Sequence, residues 1–235
     1  MIGVTRMKLS NGTKEVLKNF STINQNLVIK AGNQISTMSA MKNIVAKAVV
    51  EEDFPQDFAI YDLNEFLAAL SLFVKPDLDF KKDFVVITED GSSSKFLNYW
   101  FSDPSVVTTP KSDISMPETE VDFTFDSKTL NDIQKAAAVI SVPDMCLEAM
   151  SAGKAILKVT DKKNSTANDY AVGIDVTNAD GKDVPYKFWF KVENLKLLSG
   201  SYDVKVSSKK ISFFRNTKVD IEYFIALEPE SAYNE

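Results

Sequence analysis

The feature that most constrains this chain is a helical signal that occurs twice at a fixed distance. From Ser10 to Ile23, the residues Thr13, Val16, Leu17, Phe20 and Ile23 recur at helical spacing, and Ser10 or Asn11 can cap the start. From Ser127 to Ile140 the stripe returns as Leu130, Ile133, Ala137 and Ile140. Overlaying the two sets Ser127 on Ser10, Ile133 on Val16, Lys135 on Lys18 and Ile140 on Ile23, a constant offset of 117 residues (127 − 10). A chain that restarts its pattern in this way builds two similar halves.

The stretches around the helices read as short strands. In the first half these are 27–30, 34–38, 44–50, 57–61, 84–88 and 95–101, with a turn at Asp90-Gly91. Leu63, Phe66, Leu67 and Leu70 form a second helical stripe over 62–73, with Asp62 as its cap. In the second half, strands are expected at 121–125, 146–150, 154–159, 170–176, 186–191, 202–206, 211–214 and 220–227, with a short helix over Val192–Leu198. Phe58-Ala59-Ile60 is echoed by Phe188-Trp189-Phe190 at an offset of 130 (188 − 58), so the second half carries a longer loop around 162–169. Between Ser102 and Glu120 periodicity stops, and Pro104, Pro110 and Pro117 stiffen an extended linker. The expected organisation is two α+β domains, 1–101 and 121–235, joined by a connector at 102–120. In each, helices cover one face of antiparallel sheet.

Composition narrows the chemistry. There is no histidine, which removes the usual general base and the commonest metal ligand. None of the eight glycines forms a GxGxxG or a phosphate-cradling loop. Acidic runs such as Glu51-Glu52-Asp53 lack ligand spacing and read as solvated surface. No enzyme, metal or cofactor is expected, although a carboxylate-dependent nuclease is the reading that magnesium-dependent DNA cleavage would revive. Cys146 is the single cysteine and reads as a buried, inert thiol. No apolar run reaches the roughly 20 residues of a membrane span. The amino terminus lacks a secretory h-region, so an intracellular protein is expected. Without secretion, the acceptor-like Asn11-Gly12-Thr13 and Asn164-Ser165-Thr166 carry no meaning.

The net charge of −6 and pI near 4.9 argue against a protein that grips nucleic acid over its whole surface. Loose contact confined to one surface is compatible with that charge, so the placement of the lysines matters more than the total. Lys18 and Lys135 lie opposite the apolar stripes of their helices, Lys14 and Lys128 flank them, and Lys196 falls in the last short helix. Lys209 to Arg215 has a basic-aromatic look but alternates as a strand does.

Several runs resemble one family. Met7-Lys8-Leu9-Ser10, Leu17-Lys18-Asn19-Phe20 and Thr22-Ile23-Asn24 are similar to the opening of T-even phage sliding clamps. Ala59-Ile60-Tyr61-Asp62-Leu63-Asn64, then Phe66-Leu67, resembles the first crossover helix of that family. Asp103-Pro104-Ser105 with Val106-Val107 resembles the start of its interdomain linker, and Ala226-Leu227-Glu228 its final strand and tail. Residues 1–6 precede the resemblance, which makes Met7 the expected natural start.

The resemblance implies a two-domain DNA clamp similar to proliferating cell nuclear antigen, with helices on the inner face. Three copies would close a six-domain homotrimeric ring around duplex DNA. It implies a phage DNA polymerase tethered for processive synthesis, an ATP-driven clamp loader, and a sigma-like late transcription factor with its co-activator. The setting it implies is the cytoplasm of an infected bacterial host, with no membrane partner. On this reading Lys14, Lys18, Lys128, Lys135 and Lys196 face DNA. Partner peptides would dock in a pocket beneath the connector, with Met41, Ile44, Val45, Val106, Val107, Ile225, Ala226 and Leu227 as candidates. The helix over 62–73 departs from this scheme: it carries Asp62 and Glu65 but no basic residue. A β-rich viral assembly or scaffold protein, whose duplicated domains serve only subunit contacts, is the alternative of another class.

Overall fold

The computed structural model describes residues 6–90, 92–110, 114–178 and 181–234, and the chain divides into two units, Met1–Ser112 and Asp113–Glu235. In the first unit β1 (Arg6–Met7) leads into α1 (Asn11–Ile23), followed by β2 (Leu27–Ile29), β3 (Gly32–Met38), β4 (Ile44–Phe54) and β5 (Phe58–Ile60). Then come α2 (Leu63–Ser71), β6 (Pro76–Phe80), β7 (Phe84–Glu89) and β8 (Ser92–Trp100). One antiparallel sheet has the order β1-β6-β7-β8, and a second run has the order β4-β3-β2-β5.

The second unit begins with β9 (Val121–Phe125) and α3 (Ser127–Ile140), then β10 (Asp144–Ser151), β11 (Lys154–Thr160), β12 (Tyr170–Asp175), β13 (Thr177–Asn178) and β14 (Tyr186–Lys191). A single 3-10 turn (Val192–Asn194) precedes β15 (Tyr202–Ser207), β16 (Ile211–Asn216), β17 (Ile221–Ala226) and β18 (Ala232–Tyr233). Its strands run β12-β11-β10-β14-β18 and β13-β9-β15-β16-β17. With β18 and β13 set aside, each run has a counterpart of the same internal order in the first unit: β9-β15-β16-β17 answers β1-β6-β7-β8, and β12-β11-β10-β14 answers β4-β3-β2-β5.

The helices form where apolar spacing and caps agree. In α1 the Ser10 hydroxyl accepts the Thr13 amide at 3.1 Å, and the Glu52 carboxylate, reaching over from β4, accepts the Ser10 amide and the Thr13 hydroxyl. Thr13, Val16, Leu17, Phe20 and Ile23 are buried where α1 packs on β3, β4 and α2. The overlay offset survives in three dimensions, since Leu130, Ile133 and Ala137 are the buried face of α3 and match Thr13, Val16 and Phe20. The start is shifted by one residue: Asp126, not Ser127, caps α3, accepting the Thr129 amide at 2.7 Å. Ile140 is only half-buried, in the last turn before the left-handed Ser141, whose amide donates to Ala137 O.

Two expectations are corrected. The Val192–Leu198 helix is absent beyond the 3-10 turn at Val192–Asn194. Its backbone is claimed by side chains instead. Gln134 Nε2 donates to Leu195 O at 2.9 Å, the Tyr202 hydroxyl donates to Leu198 O at 2.5 Å, and the Tyr223 hydroxyl accepts the Leu198 amide at 3.0 Å. Gly200, at φ 155°, completes this segment, because a Cβ there would stand 2.4 Å from Asn216 Nδ2. The second correction is the strands β1, β6, β13 and β18, which the alternation did not announce. Asp90 of the expected Asp90-Gly91 turn is described, while Gly91 lies outside the described residues, as do 111–113 of the connector.

Candidate nucleic-acid and partner interfaces

The basic candidates fall into two groups, one in each unit. Lys14 and Lys18 share α1; Lys14 is half-buried and Lys18 exposed. They line one wall of a groove of about 240 Å3 whose opposite wall is Leu67 and Leu70 of α2. Lys128 and Lys135 share α3 and are both exposed. Lys196 is half-buried on the irregular segment that Gln134 ties to α3, rather than on a helix.

These cations are not equally available. Lys18 Nζ lies 2.8 Å from Glu15, and Lys128 Nζ lies 3.5 Å from Asp132. Exposed pairs of this kind are worth only about 0–1 kcal/mol, so a phosphate can compete for either lysine. Lys135 is exposed with no ion pair among the described residues. Within α2, Asp62 is spent on its own helix, accepting the Asn64 and Glu65 amides at 2.9 and 3.2 Å. The Tyr99 hydroxyl donates to Asp62 O at 3.2 Å, and burial, then Glu65 and Asp62, push its pKa up to about 12. That stretch supplies no attraction for a polyanion.

The pocket candidates separate by exposure. Met41 and Val106 are 83% and 59% exposed. Ile44, Val45, Val107, Ile225 and Leu227 are buried, and Ala226 is half-buried. Met41 crowns the β3–β4 turn, where the Ser39 hydroxyl accepts the Asn43 and Ile44 amides at 3.2 and 3.1 Å and Lys42 takes a left-handed conformation. Thr108 is pinned beside this turn. The Thr108 amide donates to Asn26 Oδ1 at 3.2 Å, and Asn24 Nδ2 donates to Met38 O at 2.7 Å and to Thr108 O at 3.5 Å. Sequence reading missed Asn24 and Asn26. The only local signal is a pair of amides just past the end of α1, where Asn24 also serves as the C-cap. In the second unit the Glu120 carboxylate accepts the Ser208 amide and hydroxyl, both at 2.7 Å.

Among the described residues, no group of three His, Cys, Asp or Glu side chains could hold a metal. Cys146 is buried, and that burial pushes its thiol up to about 12, out of reach of a thiolate. Among the described residues, no helix is long and apolar enough to cross a membrane. The arrangement can present lysine-bearing helices and short apolar surfaces, which is the chemistry of binding.

Comparison with solved structures defines the class. The proliferating cell nuclear antigen of Entamoeba histolytica superposes with a TM-score of 0.70 at 12% identity, over 96% of this chain and 99% of that one. The corresponding protein of Thermococcus kodakaraensis gives 0.68 at 15% identity, over 95% and 99%. At such identities the likeness is one of fold: a duplicated α+β DNA clamp.

Closer relatives narrow the class. The chain is 36% identical over 227 residues to the sliding clamp of Vibrio phage KVP40, spanning 94% of this chain and 99% of that protein. It is 26% identical to the sliding clamp of Enterobacteria phage T4, over 97% and 100%. Residues 10–109 match the DNA polymerase processivity factor family, and residues 118–229 match the gp45 sliding clamp C-terminal domain. The chain belongs to the phage sliding-clamp family of DNA polymerase processivity factors.

Proposed function

We propose that three copies of this chain close into a ring around duplex DNA, with α1 and α3 facing the duplex. The observation that carries this is the repeat itself: two lysine-bearing helices at equivalent positions of two equivalent units, in an otherwise acidic chain. A closed ring tethers by topology. Its phosphate contacts can therefore be few and weak, which sliding requires. Lys18 and Lys135 supply the central contacts, Lys14, Lys128 and Lys196 the flanking ones, and the acidic remainder repels stray DNA from the rim.

Assembly uses open sheet edges. β8 ends one sheet of the first unit and β12 ends one of the second. β8 displays Phe96 and Trp100, 63% and 65% exposed, which an isolated chain has reason to cover. Pairing of β8 in one copy with β12 in the next closes the ring. Residues 102–120 act as the connector between domains 1–101 and 121–235. Met41, Ile44, Val45, Val106 and Val107 of the first unit, and Ile225, Ala226 and Leu227 of the second, are the residues offered to partner peptides, with Met41 and Val106 the exposed ones. The polymerase docks there, as do the clamp loader and the sigma-like late transcription factor with its co-activator. The protein works as a tether rather than a catalyst, in the cytoplasm of the infected host.

Light scattering tests the assembly: a species near three times 26.2 kDa is expected. Retention on closed circular DNA, lost when the circle is cut, tests the encirclement. Equal retention on cut and closed DNA, or none on either, sinks the reading.

A further inference from the structure

Beyond the ring, the second unit holds a surface that its own tail occupies. β14 pairs with β10 along Lys187–Lys191, but its other edge is covered only at Tyr186 and Lys187, by the two-residue β18. The rest of that edge is satisfied by single contacts from the tail. The Glu228 amide donates to Trp189 O at 2.8 Å, and the Ser231 hydroxyl accepts the Trp189 amide at 2.8 Å.

Charge holds the tail at one end. Lys162, with a side chain only 9% exposed, places its Nζ 2.9 Å from Glu228 and 2.8 Å from Glu230. Lys191 lies 3.8 Å from Glu228, and Asp144, 1% exposed, fixes both lysines: it accepts Lys191 Nζ at 2.5 Å and the Lys162 amide at 3.1 Å. Aromatic stacking holds the other end. The Tyr233 ring lies over Tyr186 and Phe188 at centroid distances of 6.1 and 6.4 Å, nearly parallel to both. The Tyr186 hydroxyl is buried there with no hydrogen-bond partner among the described residues.

We propose that the β14 edge, with Lys162 and Lys191 at one end and the Tyr186–Phe188 ledge at the other, is a docking site for an extended acidic-aromatic peptide of a partner protein, held shut by residues 228–233. The tail defines the occupant. An incoming strand replaces the backbone contacts at Trp189, sets carboxylates against the two lysines, and lays an aromatic side chain on the ledge, where it can also reach the Tyr186 hydroxyl. The latch consists of the two β18 pairs, single contacts at Trp189 and Pro185, the Lys210 ammonium on Ser231 O, the ion pairs at Lys162 and the Tyr233 stack. That is a smaller set than the continuous ladders of the sheet beneath, so it opens first. Asp144 keeps both lysines in position after the tail has left.

The test uses the full chain carrying Glu228→Lys and Glu230→Lys, with hydrogen exchange and a labelled synthetic peptide of residues 227–234 as probes. Exchange at 228–234 should rise roughly tenfold or more while β10 and β11 stay protected. The peptide should bind the variant, fail to bind the unmodified chain at low salt, and lose its binding when Lys162→Met is added. Unchanged exchange overturns the latch. Faster exchange with no peptide binding overturns the docking site. If the double reversal abolishes protection in β10 and β11 as well, Glu230→Gln is read in its place, with the same outcomes deciding at smaller amplitude.

Discussion

The first and second units share their strand orders yet finish their helical layers differently. In the first, β4 extends for 11 residues, and its Glu52 closes over the start of α1. In the second, the corresponding β12 has six residues, and beside the start of α3 lies a cavity of about 740 Å3 lined by Asp122, Asp126, Thr129, Asp175 and Asp203. The first unit has a nine-residue α2 capped by Asp62; the second has one 3-10 turn and a stretch tied down by tyrosines. The sheets are thus what the repeat conserves. A helix of the covering layer can be exchanged for irregular chain, provided every backbone group finds a partner.

Substitutions can break or sharpen this contrast. The largest effect is expected at Phe66, 2% exposed in α2 and packed edge-on against Tyr99 at 5.1 Å. Phe66→Ala should cost about 3–5 kcal/mol in denaturant unfolding. Leu195→Ala in the counterpart segment, also 2% exposed, should cost about 2–5 kcal/mol. A cost near zero at Leu195 would mean that the irregular segment is ornament rather than a substitute for the helix.

Next is Tyr223→Phe, which orphans the Leu198 amide and should cost about 1–3 kcal/mol. Burial pushes the Tyr223 hydroxyl well above its ordinary pKa, so it stays protonated and the loss should not vary between neutral and mildly alkaline pH. A titrating loss in that range would contradict the buried pin.

Asp126→Ala, which removes the α3 cap, should cost about 1 kcal/mol. The Thr129 amide holds the Asp126 carboxyl below its usual pKa. A depressed carboxylate stabilises the fold above its unfolded pKa. The gap between wild type and variant should therefore be full above about pH 3.9 and shrink as pH falls through the lower folded value. A gap that widens in acid would reverse the assignment.

The smallest effects are on stability at the lysine helices. Lys18→Glu with Lys135→Glu should shift unfolding by no more than about 0.5 kcal/mol per site while reducing DNA retention and processive synthesis. Glu15→Ala, which frees Lys18, should extend retention to higher salt. Unchanged synthesis by the double variant would remove these helices from the DNA surface.

Much of this fold was legible because it is periodic. The stripes of α1, α2 and α3 and most strands follow from apolar spacing alone, and the 117-residue offset marks the duplication. β6 escaped because Pro76, Asp77 and Asp79 are poor strand formers, and only pairing with β1 and β7 on either side makes them one. The two-residue strands are too short to leave a pattern. Leu195, Leu197 and Leu198 imitate a helix, but Gln134, Tyr202 and Tyr223 capture the backbone, and tertiary contacts override the local preference. The lysines of α1 and α3 could be placed on exposed faces from the sequence. The Asn24–Thr108 and Lys162–Glu228 contacts could not, since they join residues 84 and 66 positions apart.

Asn24 gives the first unit a mechanical joint. Its backbone amide closes the last turn of α1 on Phe20, while its side chain reaches both β3 and the connector. A load applied at Thr108 reaches the end of the helix that carries Lys14 and Lys18 through the Asn24 amide, and is shared with Asn26, whose Oδ1 accepts the Thr108 amide. On the proposed reading, a duplex held against that helix and a partner bound near Thr108 would be coupled through this joint, each steadying the other.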